Sequence, residues 1–187
     1  MLKTGRFVFI TGPMFSGKTE ELLNIYKRYI LAGKSVLLFK PAIDDRFVAE
    51  CVNTHGGVSE RAIPISDLSQ VFPYLFSDDI EVAAVLIDEI QFISLDIADI
   101  FTITEQHGID LIVCGLNLDS CRLPFETTAK IHPYAEVIQK TSVCMGCGSF
   151  DAVYTKRLTS EIDKIVVGGA DKYTVLCREC YLKPSED

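Results

Sequence analysis

The sequence predicts an α/β protein, a parallel sheet flanked by helices, followed by a small C-terminal lobe of different character. Three observations carry this. Short apolar runs alternate with helical patterns across the first two thirds of the 187 residues, the usual signature of a parallel sheet. The first run, Phe7-Val8-Phe9-Ile10, leads directly into a glycine-rich segment and then an amphipathic stretch. From Cys144 onward the texture changes to cysteine pairs, β-prone pieces and glycines, without helical periodicity. The expected division is an α/β domain over 1–140 and a lobe over 141–187.

Each element follows from its local pattern. The first strand spans Arg6–Thr11, and the helix after the glycine-rich loop presents Leu22, Leu23, Ile25, Tyr26, Tyr29 and Ile30 at helical spacing. That helix ends near Ala32-Gly33, with Gly33 as its closing residue. Ser35–Phe39 is a second buried strand ending at Lys40-Pro41. Between Ala42 and Ile63 the pattern dissolves into Asp, Arg, His, Asn and Gly, and a loop of that length is usually functional or mobile. Val82–Ile87 is a third strand, followed at once by Asp88-Glu89. Leu95, Ile97, Ile100, Phe101 and Ile103 mark another helix, then Asp110–Gly115 a strand with Cys114 as a core residue. Glu136–Lys140 is the fifth strand, and Lys183–Asp187 reads as a frayed tail.

Composition narrows the function classes. An apolar fraction of 48% is ample for a buried core. A net charge of −8 argues against holding nucleic acid by bulk electrostatics, though a small anion bound locally by amides and lysines remains compatible. No leader pattern and no apolar run of membrane-spanning length is present, so the expected location is cytoplasmic. An odd cysteine count, seven, does not suit a disulfide framework.

Gly12-Pro13-Met14-Phe15-Ser16-Gly17-Lys18-Thr19 satisfies G-x-x-x-x-G-K-[ST] between a strand and a helix, the context this motif needs. The fold class sharpens to a P-loop NTPase-type sheet. Loop amides and the helix N-terminus attract anions; Lys18 is expected at the β/γ-phosphates of a nucleoside triphosphate, and Thr19 at Mg²⁺. Asp88-Glu89 closes a strand where a metal-associated acid sits relative to such a loop. One carboxylate is free to take a proton. In an NTPase it orients water; in a kinase it accepts the proton of a substrate hydroxyl. Asp44-Asp45-Arg46 lies past the second strand at the ligand-binding edge, where Arg46 can neutralise a transferring phosphoryl group and Asp44 help organise the metal. The alternative is a solvated loop. Phe92 reads either as a core aromatic or as part of the site.

Cys144-x-x-Cys147 and Cys177-x-x-Cys180 are separated by 29 residues. Two knuckles supply four thiolates and close a tetrahedron, which makes one structural zinc the expectation. A redox dithiol, unpaired surface cysteines and an iron–sulfur cluster are the alternatives. The long insert between the pairs is expected to project as a loop.

The phosphate loop, Asp88-Glu89-Ile90-Gln91-Phe92 and Tyr154-Thr155-Lys156-Arg157-Leu158 together resemble the zinc-containing thymidine kinases. So does Gly168-Gly169-Ala170-Asp171-Lys172-Tyr173 running into Cys177-Arg178-Glu179-Cys180-Tyr181, and the likeness covers nearly the whole chain in order. The resemblance implies transfer of the ATP γ-phosphate to the 5′-hydroxyl of thymidine or deoxyuridine, in thymidylate salvage, with Mg²⁺. It implies Glu89 as general base, Asp88 as the metal-associated acid, and Gln91 among the ATP-side residues of the same motif. It places Met14, Phe92, Leu116 and Ser120 at the nucleoside pocket. Lys164, Ile165, Val166, Val167 and Gly168 fall in a lasso-like lid whose backbone reads the pyrimidine edge, with Tyr173 supporting sugar and base. A homotetramer inhibited by thymidine triphosphate is also implied.

The sequence departs from the family pattern at Ile90, where a small residue is usual, at Ser120, where an aromatic is usual, and over Ser120-Cys121-Arg122-Leu123, which lacks the usual basic and glycine pattern. Ser120 widens or re-shapes the pocket, and a deoxynucleoside kinase of altered base specificity is an alternative. Two other classes compete: a P-loop ATPase with a DNA-binding zinc ribbon, disfavoured by the acidic charge, and a catalytically silent nucleotide sensor, disfavoured by the presence of Lys18, Thr19, Asp88 and Glu89.

Overall fold

The computed structural model describes residues 4–42, 51–53, 59–76, 81–159 and 171–183. Strand β1 (Phe7–Thr11) feeds the glycine-rich loop and helix α1 (Lys18–Leu31), and β2 (Ser35–Pro41) follows. A small antiparallel ladder pairs β3 (Cys51–Asn53) with β4 (Ser59–Arg61), and β5 (Ile63–Ile65) comes directly after. Then come α2 (Phe72–Leu75), β6 (Val82–Ile87), α3 (Ile97–Phe101), β7 (Asp110–Gly115), α4 (Glu126–Ile131) and β8 (Glu136–Gln139). The C-terminal segment holds β9 (Tyr154–Arg157), β10 (Tyr173–Leu176) and the short α5 (Arg178–Leu182).

Six strands form one sheet in the order β5-β2-β6-β7-β1-β8, every neighbouring pair parallel. The strand alternation sorts the core. Val8 and Ile10 face α1 with Leu22, Leu23, Leu86, Ile112 and Cys114, while Phe7 and Phe9 face the other way with Val85, Ile87, Ile100, Leu111 and Val113. Because both faces are covered, β1 and β7 read as continuous apolar runs.

Three expectations need correction. The sheet has a sixth strand, β5, on its edge; Pro64 lies within it, tolerable there because an edge strand leaves one side unpaired. The stretch read as a loop from Ala42 to Ile63 also carries the β3–β4 ladder. α5 adds one helical turn to a segment expected to have none, starting where the Cys177 side chain accepts from Cys180 N. β2 ends at Lys40-Pro41 as expected, where both residues pair with β5. Gly33, at φ +67°, closes α1 as expected.

Parallel strands put their C-terminal ends on one side. The turns after β1, β6 and β7, three adjacent strands, therefore meet at a single sheet edge. The C-terminal segment leans on that edge: Met14 and Phe15 pack against its small core of Cys144, Ala152, Val175, Leu176 and Cys177.

Candidate active site

The glycine-rich loop is built by conformations other residues resist. Gly12 has φ +151°, and a Cβ there would meet Lys140 O at 2.4 Å. Gly17, at φ +74°, caps α1 with no side-chain bond to the helix amides. Those amides are left for an anion, and the helix dipole favours one. Ser16 Oγ donates to Pro13 O at 2.8 Å, and Lys18 Nζ donates to the same oxygen at 2.7 Å. Lys18 is buried, and that burial pulls its ammonium pKa down against the opposing pull of Glu89, Cys114 and Asp88. A poorly hydrated cation over an amide cradle fits the phosphates of a nucleotide.

The acids stand opposite. The Thr19 hydroxyl donates to Asp88 Oδ1 at 3.2 Å, the Cys114 thiol donates to the same oxygen at 2.7 Å, and Glu89 N donates to it at 3.0 Å. Burial and the neighbouring Glu89 charge push the Asp88 carboxyl up to about 7, opposed by these hydrogen bonds. The Cys114 thiol is pushed well up by burial and by Asp88, so it stays a donor. A hydroxyl and a carboxylate in contact, with a second carboxylate next to them, form an oxygen donor set suited to Mg²⁺. Thr19 and Asp88 are the residues that could hold it.

Glu89 sits at φ +50°, ψ +45°, the left-handed region, and starts the turn over Ile90–Phe92. Its carboxylate accepts from Gln91 Nε2, and Gln91 Oε1 accepts from Leu116 N at 3.1 Å. Gly115 leaves room for this: a Cβ there would lie 2.4 Å from Gln91 Oε1. Ile90 is fully buried in the sheet core. Phe92 is half-buried, its ring edge-on to Phe125 with centroids 6.1 Å apart.

The turn after β7 is tied by Asp119, whose Oδ1 accepts from Cys121 N and Leu123 N, each at 2.9 Å. It docks onto the C-terminal segment through Ser120, whose carbonyl accepts from Tyr181 Oη at 3.1 Å. Beside it Arg122, at φ +65°, sets its guanidinium 4.8 Å from the Tyr181 ring centroid and 5.6 Å from that of Tyr154. Leu116 is half-buried at the start of this turn, and Tyr173 half-buried on β10, with the Arg157 guanidinium 5.8 Å from its ring centroid.

Cys144, Cys147, Cys177 and Cys180 place their sulfurs within 4.8 Å of one another. Cys177 N donates to Cys144 Sγ at 3.2 Å, and Cys180 N to Cys177 Sγ at 3.4 Å. Burial opposes ionisation of Cys144, but amides of Cys177, Gly146 and Cys147 outweigh it and bring the thiol down to about 6. Gly146 packs under the knuckle, where a Cβ would lie 3.1 Å from Cys180 Sγ. Four converging sulfurs backed by amides fit a closed zinc site.

Asp44, Asp45 and Arg46, and Lys164 to Gly168, lie outside the described residues. The structure places Thr19 of the loop against Asp88, with Glu89 beside it, and gathers the four cysteines in a cluster of their own. The sequence reading missed the contacts of Cys114, which was read only as core. Its contact with Asp88 follows from the β6–β7 register, one step beyond the Ile87–Val113 pair, a signal available only once the strand order is known. Ser142, Thr155, Arg122 and Tyr181 had no recognisable signal as partners of the site loops.

A family model described as thymidine kinase matches residues 5–181. The chain is 37% identical over 180 residues to a thymidine kinase of Pseudothermotoga lettingae, covering 96% of each chain. It is 37% identical over 184 residues to a thymidine kinase of Pyrobaculum aerophilum, covering 95% of this chain and 98% of that relative. No helix among the described residues is long and apolar enough to cross a membrane. A phosphate loop facing paired acids, beside a four-sulfur cluster, and a match running nearly end to end converge on one conclusion: this chain belongs to the thymidine kinase family.

Proposed function

We propose that this chain transfers the γ-phosphate of ATP to the 5′-hydroxyl of thymidine, and of deoxyuridine, for thymidylate salvage. The observation that carries this reading is the junction of Thr19, Asp88 and Glu89 at one sheet edge in a chain of this family. Glu89 takes the proton of the attacking hydroxyl, and Lys18 neutralises charge on the transferring group. Arg46, which lies outside the described residues, is proposed to assist. Thr19 and Asp88 would hold Mg²⁺, which when bound would supply neutralisation of phosphate charge. Met14, Phe92, Leu116 and Ser120 line the nucleoside side, and Gln91, counted with the ATP-side residues, also orients the Glu89 base. The four cysteines would hold one structural zinc, and a role for 164–168 in reading the base belongs to the same proposal, on residues outside the described ones. Residues 1–140 form the nucleotide-binding domain and 141–187 the zinc lobe. Assembly as a homotetramer and a cytoplasmic location belong to the same proposal.

ATP-dependent phosphorylation across a panel of deoxynucleosides, with ADP release followed in parallel, tests it. Product with thymidine and deoxyuridine is expected. ADP release without a phosphorylated acceptor would overturn the kinase reading in favour of an ATPase.

A further inference from the structure

The C-terminal segment is tied to the sheet edge in two places. One tie is to the outer side of the phosphate loop: Met14 N donates to Thr155 Oγ1 on β9, and Ser142 Oγ to Phe15 O, each at 3.0 Å. The other is to the turn after β7. That turn is a short hairpin: Phe125 N donates to Asn117 O at 3.2 Å, Leu118 bridges to Pro124, and Asp119 N donates to Leu123 O at 2.8 Å. Leu116 enters the hairpin directly from β7, and Ser120 to Arg122 form its tip. At the tip Arg122 takes φ +65°, which glycine accepts freely and a residue with a Cβ resists. Its guanidinium lies against the rings of Tyr181 and Tyr154, whose centroids are 5.1 Å apart at 60° to one another. No carboxylate pairs with Arg122 among the described residues, so the two rings are what its charge meets. Tyr181 is itself fixed, its amide donating to Cys177 O at 3.0 Å and its hydroxyl to Ser120 O.

We propose that Arg122 is a positioning residue for the nucleoside. It clamps the hairpin tip onto the tyrosine pair, and so fixes Ser120 relative to Leu116 at the base of the same hairpin. A nucleoside then meets a turn already docked, and ordering that turn drops out of the free energy of binding. Changes at Arg122 leave the bonds of Thr155 and Ser142 to the phosphate loop in place. This rests on the kinase reading in taking Leu116 and Ser120 as the nucleoside side.

The test uses the full chain with its metal and titrates thymidine and ATP separately by calorimetry. Arg122→Met keeps the length of the side chain and removes its charge; Arg122→Lys keeps a cation. Arg122→Met should weaken thymidine binding about five-fold, as loss of two cation–ring contacts implies. Arg122→Lys should stay within about two-fold of the parent on that scale, and ATP affinity should hold in both. Arg122→Gly relieves the backbone while removing the clamp. It should keep the parent's melting temperature yet lose thymidine affinity as Arg122→Met does, which a merely structural role would not give, and it decides the matter if Arg122→Met does not fold. Unchanged thymidine affinity in Arg122→Met, or equal losses for thymidine and ATP, overturns the proposal. A parent that binds thymidine without phosphorylating it sinks the kinase reading and leaves these titrations to judge the clamp; a parent that binds no deoxynucleoside overturns both.

Discussion

Glu89 and Gln91 are joined carboxylate to amide across the turn that follows β6. The far end of the same amide is fixed by Leu116 N on the neighbouring strand's exit. Glu89 also holds a left-handed backbone, which costs about 1–2 kcal/mol for a residue with a side chain. The glutamate is therefore aimed twice, once by its backbone and once by its neighbour.

If Glu89 is the proton acceptor, Glu89→Gln should reduce kcat about 100-fold or more while leaving ATP and thymidine binding nearly intact. Activity within a few-fold of the parent would remove Glu89 from that role.

Gln91→Ala should lower kcat more than it raises KM, on the order of ten-fold, because it frees the carboxylate without removing it. Gly115→Ala should act on the same contact from the other side. Its Cβ would lie 2.4 Å from Gln91 Oε1 and 2.9 Å from Ile90 Cγ2, and overpacking of this kind costs about 1–3 kcal/mol. Melting curves of the two single variants and the double should show a smaller loss for Gly115→Ala once Gln91 is shortened. Strict additivity would mean that Gly115 and Gln91 do not act on one another.

Stripping zinc with a chelator should lower the melting temperature by on the order of 10 °C, equivalent to about 3 kcal/mol for a chain of this size. The cysteine cluster lies inside a core that Met14 and Phe15 also share, so Cys177→Ser should reproduce the drop. Scanning fluorimetry with metal analysis checks both. A chelated protein that melts like the parent would leave the cysteines without a structural metal.

Asp67 supplies a pH-dependent contribution. It caps the turn at Leu68–Val71, accepts from Ser69 N at 2.9 Å and from the Ser94 hydroxyl, and so ties that turn to the segment after β6. Bonds from the Ser69 hydroxyl, then Ser94, then the Ser69 amide hold its carboxyl below the usual range. A folded-state pKa below the unfolded one means the stability is fully present above the unfolded carboxylate value and is lost as pH falls through the folded value. Asp67→Ala should therefore cost about 1 kcal/mol at neutral pH and much less in acid. Denaturant titrations at pH 7 and below pH 3 measure the difference; equal losses at both would show that charge plays no part.

What could be read from residues alone was the chemistry that demands particular residue types. Glycines at Gly12 and Gly17, the Lys18-Thr19 pair, the Asp88-Glu89 strand end and the cysteine spacing each carry their function in their identity. The central strands were readable because both faces are buried. β5 was not, since Ile63-Pro64-Ile65 is three residues long and carries a proline. Nor were the positive φ angles at Phe15, Glu89 and Arg122, none of which is a glycine. Those conformations are imposed by tertiary contacts, and so are the docking of Arg122 between two tyrosines and the bond from Met14 to Thr155. Local pattern has no vocabulary for a partner more than a hundred residues away.

That separation sets an order of events. Met14 leaves the ribosome 141 residues before Thr155, so a nascent chain carries its nucleotide loop for most of its synthesis without the outer bond. The loop emerges first and is finished late. During translation the N-terminal sheet can assemble from β1, β6 and β7, yet the outer bond of the loop must wait for β9. A folding assay on stalled chains of increasing length would see secondary structure first, and protection of the Met14 amide only after that strand is clear of the exit tunnel.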